Sequence, residues 1–139
     1  MGLNEKFFKS AETGGGSGLF NTVIYNGNGG TNEITGVGFQ PDLVWIKNRS
    51  TASPGLIDSI RGNNRIIFSD STAAESTLTG GNVSMDADGF DINTYPSLWA
   101  NSSSNNYVAW CFKAGGAPSG SDKVSIDGTS YATMSAAGL

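Results

Sequence analysis

The sequence predicts an all-β chain, an antiparallel β-sandwich or jelly roll with a flexible N-terminal arm. Three observations predict it. Twenty glycines and 14% charged residues, with abundant Ser, Thr and Asn, are a balance that disfavours helix and favours strands joined by turns. Turn signals recur about every 8–12 residues, the spacing of sandwiches. "DLVWIKN" and "YVAWCFK" carry apolar residues on both faces, the mark of covered, central strands.

Residues 1–20 read as the arm. "MGLNEKFFKS" holds one apolar doublet, Phe7 and Phe8, and "AETGGGSG" is a flexible spacer. Phenylalanines in such an arm need a surface to pack on, which makes the arm a candidate attachment device. The sandwich is expected over 21–113. It begins at "FNTVIYNGNGGTNEITGVGF", where Val23 and Tyr25 share one face and Thr22 and Ile24 the other. "NGNGG" tolerates positive φ and predicts a turn, after which "TNEITGVGF" returns. Pro41 punctuates the chain before "DLVWIKN". There Leu43 and Trp45 point one way, Val44 and Ile46 the other.

"GLIDSIRG" (55–62) is expected as a strand, with a single helical turn as the alternative, and "RIIFS" (65–69) as another strand. "DSTAAESTL" (70–78) leaves open a short helix over "TAAES", capped by Asp70 or Ser71. "NVSMDADGFDIN" reads as strand, tight turn at Asp88-Gly89, and strand. "TYPSLWANSSSNN" (94–106) is a polar loop bearing Tyr95 and Trp99. In "YVAWCFK", Tyr107, Ala109 and Cys111 face one way; Val108, Trp110 and Phe112 face the other. A linker is expected at 114–122, and 123–139 resumes strand-like chemistry as the start of a further β module or tail.

The formal net charge is −4 and the eight basic residues are scattered, which argues against a nucleic-acid partner. No apolar run approaches a membrane span, and no membrane insertion is expected. Histidine is absent, which removes the commonest general base and metal ligand and excludes His-activated nucleophiles. The lone Cys111 cannot form an intrachain disulfide; alternating with Trp110 and Phe112, it reads as a buried, inert thiol. "GGGSG" lacks the Lys of a phosphate loop. No catalytic residue, cofactor or metal is expected.

Two motifs admit more than one reading. "DADGFD" brings Asp86, Asp88 and Asp91 together, as calcium sites do, but lacks the further ligands of an EF-hand; the hairpin-turn reading is preferred. Tyr95, Trp99 and Asn101 in the 94–106 loop have the chemistry of a carbohydrate surface, rings for stacking and amides for hydroxyls. The other reading, which we prefer, folds the loop over the sheet with Trp99 as its plug. Asp58 and Arg61 are expected to serve a turn or a salt bridge, not catalysis.

Four blocks, "GVGFQPDLVWIKNRS", "DSIRGNNRIIFSDSTAAES", "DADGFDI" and "NNYVAWCFKAGG", occur in an order that resembles virion proteins of marine bacteriophages, tail-fibre and other structural proteins with concanavalin-like jelly rolls. The resemblance implies a non-enzymatic virion structural protein, an N-terminal fibre module serving assembly and host adhesion. Capsid decoration, or a module that contacts host glycan, are the alternatives. An enzyme degrading host polysaccharide is the weakest reading, since nothing suggests a cleft between two carboxylates. The second apolar face of the central strands adds an expectation of self-association, as a homotrimer, beside contacts with other virion proteins.

Overall fold

Side chains two apart share a face of a strand, and this alternation sorts the chain into a core side and an outer side. The computed structural model describes residues 18–93 and 99–114, and the backbone of 124–126 and 129–131. The strands, in chain order, are β1 (Phe20–Asn26), β2 (Asn32–Ile34), β3 (Leu43–Asn48), β4 (Gly55–Asp58), β5 (Arg65–Phe68), β6 (Ser76–Thr77), β7 (Asn82–Asp86), β8 (Gly89–Asn93), β9 (Asn106–Phe112), β10 (Val124–Ile126) and β11 (Thr129–Tyr131). No helix occurs among the described residues.

Two antiparallel sheets form a sandwich. The larger runs β1-β9-β3-β4-β5-β6 and the smaller β2-β8-β7; β10 and β11 pair only with each other. The two strands expected to be central are central: β9 lies between β1 and β3, and β3 between β9 and β4. Their core sides give Tyr107, Ala109 and Cys111 from β9, and Val44, Ile46 and Asn48 from β3, all fully buried. Ile34, Val83, Phe90 and Ile92 of the smaller sheet close the core from the other side.

Three local expectations are corrected. The turn at 27–31 exists, with Gly29 at φ +75°, but the returning strand does not pair with β1. It crosses to the other sheet, where β2 pairs with β8, while β1 pairs with β9. Gly27 permits the crossing: a Cβ there would lie 2.2 Å from the Ser102 carbonyl oxygen. The helix left open at 70–78 does not form. A helix so short has little beyond its nucleation cost, and Glu75 pairs instead with Arg61 at 3.3 Å and Arg65 at 3.6 Å as the chain pairs β6 with β5. The β7–β8 turn sits one residue earlier than expected. Asp86 pairs with Gly89, so Ala87 and Asp88 are its central residues.

Candidate functional site

The outer face of the six-stranded sheet is apolar across most of its width. Register alone builds one row: Thr22 opposes Trp110, Trp110 opposes Trp45, Trp45 opposes Leu56, and Leu56 opposes Ile67. A second row joins Phe20, Phe112 and Leu43. The rings of Trp45 and Trp110 lie 5.2 Å apart, those of Phe20 and Phe112 4.9 Å. Phe20 is 40% exposed, Ile67 38% and Ile24 71%. The charges bordering the face are engaged locally: Lys47 Nζ donates to the Thr51 and Ala52 carbonyls, and Asp58 accepts from Arg61. Patches of this kind mark interaction surfaces.

The patch ends at β1, the edge strand, whose sequence FNTVIYN holds no charge and no proline. Both are devices that normally protect edges. Gly27 N–H donates to Asn105 and Lys113 N–H to Leu19, so the odd-numbered residues of β1 bond to β9 and the even ones point to the open edge. Asn21 Oδ1 accepts from Thr22 N–H, and Asn32 Nδ2 donates to the Asn26 carbonyl. Two amide side chains thus shield the edge at either side of Ile24.

Of the three residues with the chemistry of a carbohydrate surface, Trp99 and Asn101 are buried. Trp99 is 6% exposed, packed on Gly55 and edge-on to Phe68. A Cβ at Gly55 would come within 2.9 Å of the indole, so the glycine is the seat of the plug. A ring so enclosed offers no face to a sugar. Asn101 is fully buried. Its Oδ1 accepts from Asn28 N–H and Asn32 Nδ2, and its Nδ2 donates to Gly30 and Asn28 oxygens. It is the clasp of the 27–31 crossing, not a ligand contact. Tyr95, Phe7 and Phe8 lie outside the described residues.

The three aspartates of "DADGFD" separate by role. Asp88 accepts from Gly36 and Gly38 N–H through its two carboxylate oxygens, tying the hairpin turn to the 36–38 loop. Asp91 and Asp86 remain near one another with Glu33 on the outer side of the smaller sheet. Burial, and then the neighbouring Asp86 and Glu33 carboxylates, raise the Asp91 pKa above the usual carboxylate range. Among the described residues no three His, Cys, Asp or Glu side chains are grouped to hold a metal. Arg61 Nε meets Asp58 at 2.5 Å, while Asp58 Oδ1 accepts from Ile60 and Arg61 N–H, so this pair serves a turn.

Residues 15–138 match the model of a protein family described as a domain of unknown function, DUF7483. The chain belongs to that family. The match runs through the 114–122 segment and on to the C-terminal stretch. No curated protein and no solved structure matches the chain significantly.

Beneath the outer face of this DUF7483 domain lies a group of buried titratable side chains. Cys111 is fully buried, and burial pushes its thiol up to about 12. Burial also raises Tyr25 and Tyr107. Their rings stack at 5.2 Å, and their hydroxyls are bonded: Tyr25 donates to the Ala100 carbonyl, and Tyr107 accepts from Ser102 N–H. All three groups are held neutral at ordinary pH, in structural roles. Sequence reading missed the exposed edge of the apolar face. Alternation puts Thr22 and Ile24 on the side opposite Val23, but only register shows that Phe20, Trp110, Trp45 and Ile67 extend it.

Proposed function

We propose that this domain is a non-enzymatic assembly module of a bacteriophage virion, built into a tail fibre or fixed on the particle surface, and that copies of it associate as a trimer. The observation that carries the reading is the outer face of the six-stranded sheet. Leaving several large apolar side chains in water forgoes about 1.5–3 kcal/mol each relative to burial. Closed cyclic symmetry lets identical copies cover identical patches without growing into filaments. The virion assignment is supported by the four sequence blocks. In this reading Phe7 and Phe8 of the arm supply attachment, and the sandwich supplies the contact between copies.

Mass photometry of the full chain at micromolar concentration tests the association. The expected species has three times the 14.4 kDa chain mass. A single species at the chain mass would overturn the trimer. Density for this sandwich in a map of an intact phage particle is the expected outcome for location, and its absence from purified virions would overturn the virion reading.

A further inference from the structure

We infer that the pocket lined by Asn63, Asn64, Gly80, Gly81, Asn82 and Asn93 binds a neutral carbohydrate through its side-chain amides. The pocket has a volume of about 400 Å³, toward the small end of ligand sites, which run about 300–1,000 Å³. It shares no residue with the apolar outer face, so the inference stands independently of the proposed assembly.

The site joins the two sheets. Asn63 and Asn64 come from the loop between β4 and β5 of the larger sheet; Asn82 and Asn93 begin β7 and end β8 of the smaller. Backbone bonds fix the walls: Val83 N–H donates to the Asn63 carbonyl at 2.9 Å, and Leu78 N–H to the Asn64 carbonyl at 2.8 Å. Asn82 and Asn93 are directly opposed across the hairpin. Asn93 Nδ2 donates to Asn82 Oδ1 at 2.8 Å and to Ser84 Oγ at 2.9 Å. That orients both amides and, among the described residues, leaves Asn82 Nδ2 as a donor and Asn93 Oδ1 as an acceptor for a ligand. Asn63 and Asn64 are exposed, and their side chains bond to no described residue. At Gly80, φ is +83° and a Cβ would meet nothing within 4 Å, so the mouth carries no side chain there.

The lining selects the ligand class. Among the described residues it has no charged lining residue, which disfavours phosphates, carboxylates and cations. Among the same residues it has no aromatic or aliphatic lining side chain, which disfavours nucleobases and lipids. Four amides offer donors and acceptors side by side, and adjacent sugar hydroxyls, each both donor and acceptor, match that pattern. With no stacking ring among the described lining residues, the affinity belongs in the millimolar range.

Side-chain amide resonances of the full, ¹⁵N-labelled chain provide the test, titrated separately with glucose, galactose, mannose and N-acetylglucosamine, and with glycerol as control. At least one sugar is expected to shift the amides of Asn63, Asn64, Asn82 and Asn93 saturably, with glycerol producing no saturable shift. The double variant N63A/N64A, altered only at exposed side chains, is expected to melt as the parent does and to bind about tenfold more weakly, the effect of losing one or two hydrogen bonds. Absence of a saturable shift with all four sugars, shifts that map elsewhere, an equal response to glycerol, or undiminished binding by the folded double variant would each overturn the assignment.

Discussion

Trp99 and Asn101 stand two apart in a loop of serines and asparagines, and both are buried for different reasons. Trp99 fills the space above Gly55. Trp99→Ala is therefore expected to destabilise the domain by about 3–5 kcal/mol, read from urea unfolding. The indole Nε1 is enclosed without a hydrogen-bond partner among the described residues. Trp99→Phe removes that stranded donor with much of the ring kept, so it should cost clearly less than Trp99→Ala; equal losses would refute the plug. This role was legible in the sequence because a large ring in a polar loop needs cover. The role of Asn101 was not, since nothing in "NSSSNN" separates it from its solvated neighbours. Its partners, Asn28, Gly30 and Asn32, lie about seventy residues away in the chain. Cys111 was readable from the alternation of its strand, and it sets a further expectation. Its folded pKa, about 12, lies above the ordinary thiol value of about 8.5. Stability linked to the neutral thiol is thus complete below about pH 8.5 and is lost as pH rises toward 12. Cys111→Ala should flatten the decline in melting temperature over that alkaline window, and an unchanged slope would count against a neutral buried thiol.

At the scale of elements, the strands were readable and their partners were not. Alternation located β3 and β9 because a two-sided apolar strand belongs in the middle of a sheet. The same alternation says nothing about whether the segment after "NGNGG" pairs with β1 or crosses to the other layer. That choice is made by the clasp at Asn101 and by the tight approach of Gly27 to Ser102. The β7–β8 hairpin was closer to its sequence signal, displaced by one residue. Gly89, at φ +156°, leaves no room for a side chain, since a Cβ would lie 2.0 Å from the Ile34 carbonyl oxygen. The outer side of this hairpin gives a testable charge effect. Because the folded pKa of Asp91 is raised, the folded state binds the proton more tightly than the unfolded chain. The associated stability is present below the ordinary aspartate value of about 3.9 and is lost as pH rises through the raised folded value. At pH 7 the Asp91 charge is therefore a cost. Asp91→Asn is expected to raise the melting temperature at pH 7, with the advantage shrinking as pH falls toward 4. A lower melting temperature at pH 7 would show instead that the carboxylate is needed.

The whole molecule presents two unlike faces. The smaller sheet turns Glu33, Asp86 and Asp91 outward, and in a chain of net charge −4 these acids oppose close approach of a second copy on that side. The larger sheet turns outward a field of Trp, Phe, Leu and Ile. In the proposed assembly this contrast would direct association to one face, and that association would carry a thermodynamic signature. A partner that binds only the folded chain stabilises it by mass action, so the melting temperature rises with protein concentration when the partner is another copy. Ile24 and Ile67 are the places to break this, since they are exposed and their replacement leaves the core untouched. The double variant I24K/I67K sets two ammonium groups into the patch, where burial without a counter-charge is costly. The parent should gain several degrees between low and high micromolar concentration, while the variant should melt at one temperature throughout. Trp45 and Trp110 report the same event, since their emission should shift to the blue with concentration in the parent alone. A melting temperature independent of concentration in the parent would mean that the apolar face does not drive association of this chain.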